Sequence, residues 1–113
     1  MAIRSTITAP EAVSFPVFTV RFPDVDGNPG KPAIGQWSGK GALATPPAVG
    51  SRVVINFNQF GAGVVKGYFV EDCYLGVIVE CDNRPAWHVK QCGDAHPFPY
   101  VFGAELRPEG GAK

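Results

Sequence analysis

The stretch Val49–Cys81, VGSRVVINFNQFGAGVVKGYFVEDCYLGVIVEC, constrains the fold more than any other part of the chain. Apolar residues recur with a period of two, which is the repeat of a strand with one buried face. The first run, Arg52 to Phe57, places Val53, Ile55 and Phe57 on one side. The second, Val64 to Val70, places Val65, Gly67 and Phe69 inward and Val64, Lys66, Tyr68 and Val70 outward. The third, Cys73 to Glu80, turns Cys73, Leu75, Val77 and Val79 inward and Tyr74, Gly76, Ile78 and Glu80 outward. Asn58–Gly63 and Glu71-Asp72 are the turns between them. Gly67 in mid-strand points to a bend or a close backbone approach. The expected buried set is therefore Val53, Ile55, Phe57, Val65, Phe69, Leu75, Val77 and Val79.

No segment shows a helical period. The 14 glycines and 11 prolines, beside 45% apolar and 18% charged residues, are a turn-rich β composition rather than a disordered one. A chain of 113 residues fits one domain. Its expected parts are a flexible arm at 1–12, an edge strand and long loop at 13–48, a barrel core at 49–107 and a tail at 108–113.

In the lead-in, SFPVFTVRF alternates, with Phe18, Val20 and Phe22 on one face, and Pro16 marks an edge strand. DVDGNPG, Asp24 to Gly30, echoes an acidic calcium loop but lacks the required ligand order and the closing glutamate, so it reads as a solvated turn. AIGQWSGKG, Ala33 to Gly41, is expected to hold a short strand around Ile34 and Trp37, and its Gly39-Lys40-Gly41 lacks the phosphate-loop spacing. Leu43 to Ala48 reads as a linker. Beyond Cys81, Ala86 to Lys90 is expected as a short strand with Trp87 and Val89 on one face and His88 and Lys90 on the other. Tyr100-Val-Phe is a final strand, Gly103 to Leu106 a single 3₁₀ turn, and Leu106-Arg107 a brief closing strand.

This order of elements resembles an SH3-like small β-barrel. The resemblance lies in VGSRVVINF, GAGVVKGYFVE, YLGVIVE and YVFGAELRP, about half the chain. It implies an all-β antiparallel barrel with an N-terminal edge strand, long loops and at most a one-turn 3₁₀ helix. The cadence is also similar to that of the type II, plasmid-borne dihydrofolate reductases, which build a pore from a V-Q-I-Y segment by tetramerisation. The comparable place here is Phe98-Pro-Tyr-Val-Phe, so the barrel carries over and the reductase site does not.

Charge and cysteine content narrow the function classes. Ten basic and ten acidic residues give zero formal net charge, which disfavours a phosphate-backbone binder. Three cysteines, no leader-like apolar run and no run approaching the ~20 apolar residues of a spanning helix lead us to expect a cytoplasmic protein without membrane partners. Cys81, His88, Cys92 and His96 have metal-ligand residue types, but their C-x6-H-x3-C-x3-H spacing lacks the short knuckles of structural zinc, and no metal or other cofactor is expected. Cys92 with His88 or His96 and Asp94 supplies nucleophile and base types, with no helix N-terminus to activate the thiol, so no catalytic residue is assigned.

The expected function is non-enzymatic binding or self-association through a surface patch of Tyr68, Tyr74 and Trp87 with Lys66 and His88. Its partner would be a protein, a peptide or a second copy. Two alternatives stand beside it: a nucleic-acid-binding barrel using Lys66, Arg84, Lys90 and an aromatic stack, and a small enzyme whose site forms between subunits.

Overall fold

The structure, a computed structural model, describes residues 9–21, 32–93 and 98–109. Of these, 49% are strand and one segment is α-helix, so the fold is mostly β. The strands are β1 (Glu11–Ser14), β2 (Val17–Arg21), β3 (Pro32–Gln36), β4 (Arg52–Ile55), β5 (Gly61–Glu71), β6 (Tyr74–Cys81), β7 (Tyr100–Phe102) and β8 (Leu106–Pro108). They form one sheet in the order β1-β2-β3-β6-β5-β4-β8, with β7 on β6. It curls into a half-barrel.

Two features correct the strictly antiparallel barrel expected above. β3 runs parallel to β6, meeting it at Gln36 and Tyr74, so the sheet is mixed. Residues Ala86–Cys92 form a helix, α1, not a strand. Pro85 stands just before its first residue, where a missing N–H costs nothing. Gly93 closes it at a positive φ of 56°, its N–H donating to the Val89 carbonyl at 2.9 Å. Both punctuation marks are in the sequence; the Trp87/Val89 alternation masked them.

The β5–β6 hairpin is the spine, and it carries a bulge. Val65 pairs with Val79 and Gly67 with Ile78, leaving Lys66 as an extra residue. Alternation reverses there. Upstream, Gly63 and Val65 face the core; downstream, Tyr68 stands opposite Val77 and Val70 opposite Leu75. Tyr68 is consequently buried and Phe69 turns to the outer face, opposite to the expected orientation. The hairpin turns through Asp72 and Cys73, at φ 54° and 69°, rather than through Glu71-Asp72. Positive φ at both central residues is the type I′ requirement, whose twist matches that of the strands.

Six members of the expected buried set are 0–3% exposed: Val53, Ile55, Val65, Leu75, Val77 and Val79. Phe57 is not, at 36% exposed, because β4 ends at Ile55 and its parity ends with it. Asn58 and Gln59, both at positive φ, then steer Phe60 into the core instead. Residues 43–48 do more than link. Leu43, Pro46 and Pro47 are buried, and the Trp37 indole donates to the Leu43 carbonyl at 2.7 Å.

The lead-in run is a hairpin rather than one edge strand, since β1 pairs with β2 around Phe15-Pro16 and β2 is interior to the sheet. Phe22 and the acidic loop Asp24 to Gly30 lie outside the described residues. At the other end the 3₁₀ turn Gly103–Glu105 and β8 are present, and Arg52 of β4 pairs with both Asp82 and Glu109, clasping the chain after β6 and β8. Among the described residues no helix is long and apolar enough to cross a membrane.

Candidate functional site: an aromatic row on the outer face

The bulge at Lys66 delivers Phe69 to the outer face directly opposite Gly76, and Gly76 in turn pairs with Phe102 of β7. Gly76 has no side chain, so the neighbouring rings close over its backbone. A Cβ there would collide with the Phe69 ring and the Val101 carbonyl. The Phe69 ring lies 5.2 Å from Phe102 and 5.0 Å from Tyr100, centroid to centroid, at interplanar angles of 57° and 44°. Tyr74 meets Phe102 edge-on at 6.3 Å. Aromatic pairs of this geometry contribute about 0.5–1.5 kcal/mol beyond the area they bury.

The four rings span three neighbouring strands. The inner two, Phe69 and Phe102, are half-buried, while Tyr74 and Tyr100 remain 48% and 60% exposed. Glu71, paired with Tyr74 in the ladder, sets a carboxylate at one end of the row. The Glu105 carboxylate accepts from the Phe102 backbone N–H at 2.9 Å and fixes the corner where β7 ends.

The five residues expected to form a patch are divided by the fold. Tyr74 is in the row. Tyr68 is 8% exposed beneath the sheet, its hydroxyl donating to the Pro47 carbonyl at 2.6 Å, and burial pushes its pKa up to about 12. Lys66 lies on the bulge, 3.5 Å from the Glu80 carboxylate. Trp87 and His88 belong to a separate cluster on α1. There Trp87, 39% exposed, donates from its indole to the Asn58 carbonyl at 3.1 Å and meets the Phe60 ring edge-on at 5.4 Å. His88, 6% exposed, packs on Phe60 and accepts at Nδ1 from Arg84 Nε at 3.1 Å. Burial, and then the Arg84 charge, lower the His88 pKa.

Phe69, Tyr100 and Phe102 replace the residues that the row lacks. The Tyr100/Phe102 signal was available in the sequence, because Y-V-F with Val101 inward puts both rings outward. The Phe69 signal was Gly67, a mid-strand glycine beside the bulge.

Among the described residues no group of three or more His, Cys, Asp or Glu side chains could hold a metal ion, and His96 lies outside those residues. Burial first, then Asp82, pushes the Cys81 thiol up to about 11, which keeps it protonated and weakly nucleophilic at neutral pH. Asp94, like His96, is outside the described residues. Of the cations suited to a nucleic acid, Lys66 is paired with Glu80, Arg84 is engaged with His88 and the Gly93 carbonyl, and Lys90 is exposed on α1. No family model, no curated protein and no solved structure matches the chain.

Proposed function

We propose that this protein is a non-enzymatic self-association module that docks a second copy of itself through the outer aromatic row. One observation carries the reading: Tyr74 and Tyr100 stand open on a platform levelled by Gly76. Rings held in place by neighbours lose little entropy on docking and are the side chains most often dominant in interfaces. The zero formal net charge supports a second copy as the occupant, since like copies then meet without overall repulsion. The SH3-like cadence of the curled sheet suits a binding role, although a fold alone does not name a ligand.

Light scattering across a concentration series tests this. The mass should rise from the 12.0 kDa of one chain toward twice that value. Tyr100→Ser should move the transition to concentrations about tenfold higher, as loss of an interface anchor does. A wild-type chain that stays monomeric to about 1 mM would overturn self-association. Binding of a single-stranded oligonucleotide with a steep salt dependence, in that same monomeric protein, would favour the nucleic-acid reading instead.

A further inference from the structure

The one buried histidine of the described residues lies outside the aromatic row, on the inner side of α1, and the hydrogen bonding around it ties the helix down at both ends. Arg84 Nε donates to His88 Nδ1 at 3.1 Å, and Arg84 Nη2 donates to the Gly93 carbonyl, just past the helix, at 2.8 Å. One guanidinium thus braces the first turn and the C-terminal cap together. The His88 ring fills the space between Phe60, 5.1 Å away, and Trp87, 5.5 Å away, both edge-on.

We propose that α1 is an acid-released latch, in which a proton on His88 Nδ1 breaks the Arg84 brace and frees the helix from the Phe60 loop. Arginine stays protonated throughout the accessible pH range, so its Nε–H is always a donor. The bond therefore requires a lone pair on Nδ1, which makes the docked ring neutral with its proton on Nε2. An imidazolium would set N–H against N–H beside a fixed positive charge. It forms only after the guanidinium swings away, and the same movement removes the Gly93 tie. One proton thereby loosens both ends of the helix and uncovers Phe60, which is 5% exposed when the latch is closed.

The surroundings supply nothing described that would stabilise the imidazolium. The loop packed against the ring contributes Asn58, Gln59 and Phe60, all uncharged. The turn before α1 contributes Arg84 and Asp82, the latter paired with Arg52, and α1 itself contributes exposed Lys90 and, one turn on, Cys92. Burial and Arg84 both lower the folded-state pKa below the ordinary histidine value. A lowered histidine value means the undocked state takes the proton first. The docked state is fully favoured above about pH 6.5 and loses ground as pH falls below that, until the docked ring itself titrates.

A nitrogen–proton correlation spectrum, recorded from about pH 8 to 5, reads the latch directly. The Trp87 indole and the Gly93 amide should shift together in one transition with its midpoint below the ordinary histidine value. The Trp37 indole, bonded to Leu43 in the core, should stay fixed. His88→Gln should abolish the coupled transition. If that variant does not fold, Arg84→Met decides, because with no brace to break the Trp87 and Gly93 signals should already lie at their low-pH positions at about pH 8. Flat Trp87 and Gly93 signals overturn the proposal. So does a transition that survives His88→Gln, which would belong to His96, or an Arg84→Met variant that keeps the full wild-type transition.

Discussion

The Tyr68 hydroxyl donates to the Pro47 carbonyl oxygen at 2.6 Å, joining the middle of β5 to the proline-rich segment that covers the core. The bond exists because Lys66 is an extra residue in its strand; without the bulge, Tyr68 would face solvent and Phe69 the interior. Tyr68→Ala should therefore destabilise the protein by about 3–5 kcal/mol, as removing a buried aromatic side chain does. Tyr68→Phe, which leaves the Pro47 carbonyl without this donor, should cost about 1–3 kcal/mol. Urea unfolding measures both.

Two glycines in adjacent strands should respond in opposite directions. At Gly67 an added Cβ meets nothing closer than the Ile78 side chain at 3.9 Å, so Gly67→Ala should be neutral or stabilising by up to about 1 kcal/mol. At Gly76 the Cβ collides with Phe69 and the β7 backbone. Gly76→Ala should destabilise by about 1–3 kcal/mol through overpacking and displace the Phe69 ring. Thermal melts of the two variants, with equal stability as the contrary outcome, decide it.

The hairpin tip carries non-glycine residues at two positive φ values, Asp72 at 54° and Cys73 at 69°. Cys73→Gly relieves the second and creates the Asp-Gly pair that this turn type favours. A gain of about 0.5–1 kcal/mol is expected, the relief of left-handed strain outweighing the extra entropy of glycine. A loss of stability would show that the Cys73 side chain makes a contribution its exposed position does not reveal.

The Arg52 clasp makes a prediction about acid. Hydrogen bonds from Arg52 hold the Asp82 and Glu109 carboxyls below their ordinary values. A lowered carboxyl value contributes stability that is present above the unfolded value and lost as pH falls through the folded one. The clasp is exposed, so the effect should be small and should shrink in salt. Arg52→Gln should flatten the acid limb of the stability curve below about pH 4.5, and an unchanged limb would show that the clasp contributes nothing measurable.

Much of the β core was legible because period-two patterning survives wherever a strand is regular. Val53, Ile55, Leu75, Val77 and Val79 follow it without exception. It failed at three kinds of place, each local. At Lys66 one inserted residue reversed the faces of everything up to the turn, moving Tyr68 in and Phe69 out. At Phe57 the strand had already ended. At Trp87 and Val89 two apolar residues imitated a strand, although Pro85 and Gly93 bracketed a helix. The parallel contact of Gln36 with Tyr74 had no sequence signal, because pairing partners far apart in the chain are set by how the sheet curls. The patch expected from the sequence shared Tyr74 with the observed row because β6 carries no bulge and its alternation is unbroken, whereas the bulge removed Tyr68 and the helix removed Trp87 and His88.

Tyrosine nitration read by peptide mass spectrometry at low and high protein concentration tests the central claim most directly, because the chain has three tyrosines, one buried and two in the row. In dilute protein Tyr74 and Tyr100 should be nitrated and Tyr68 protected. In concentrated protein Tyr74 and Tyr100 should become protected as a second copy covers them, with Tyr68 unchanged. Nitration of Tyr68 as fast as Tyr100 would contradict the inward placement set by the bulge. Equal nitration of Tyr74 and Tyr100 at both concentrations would contradict the aromatic row as the docking face.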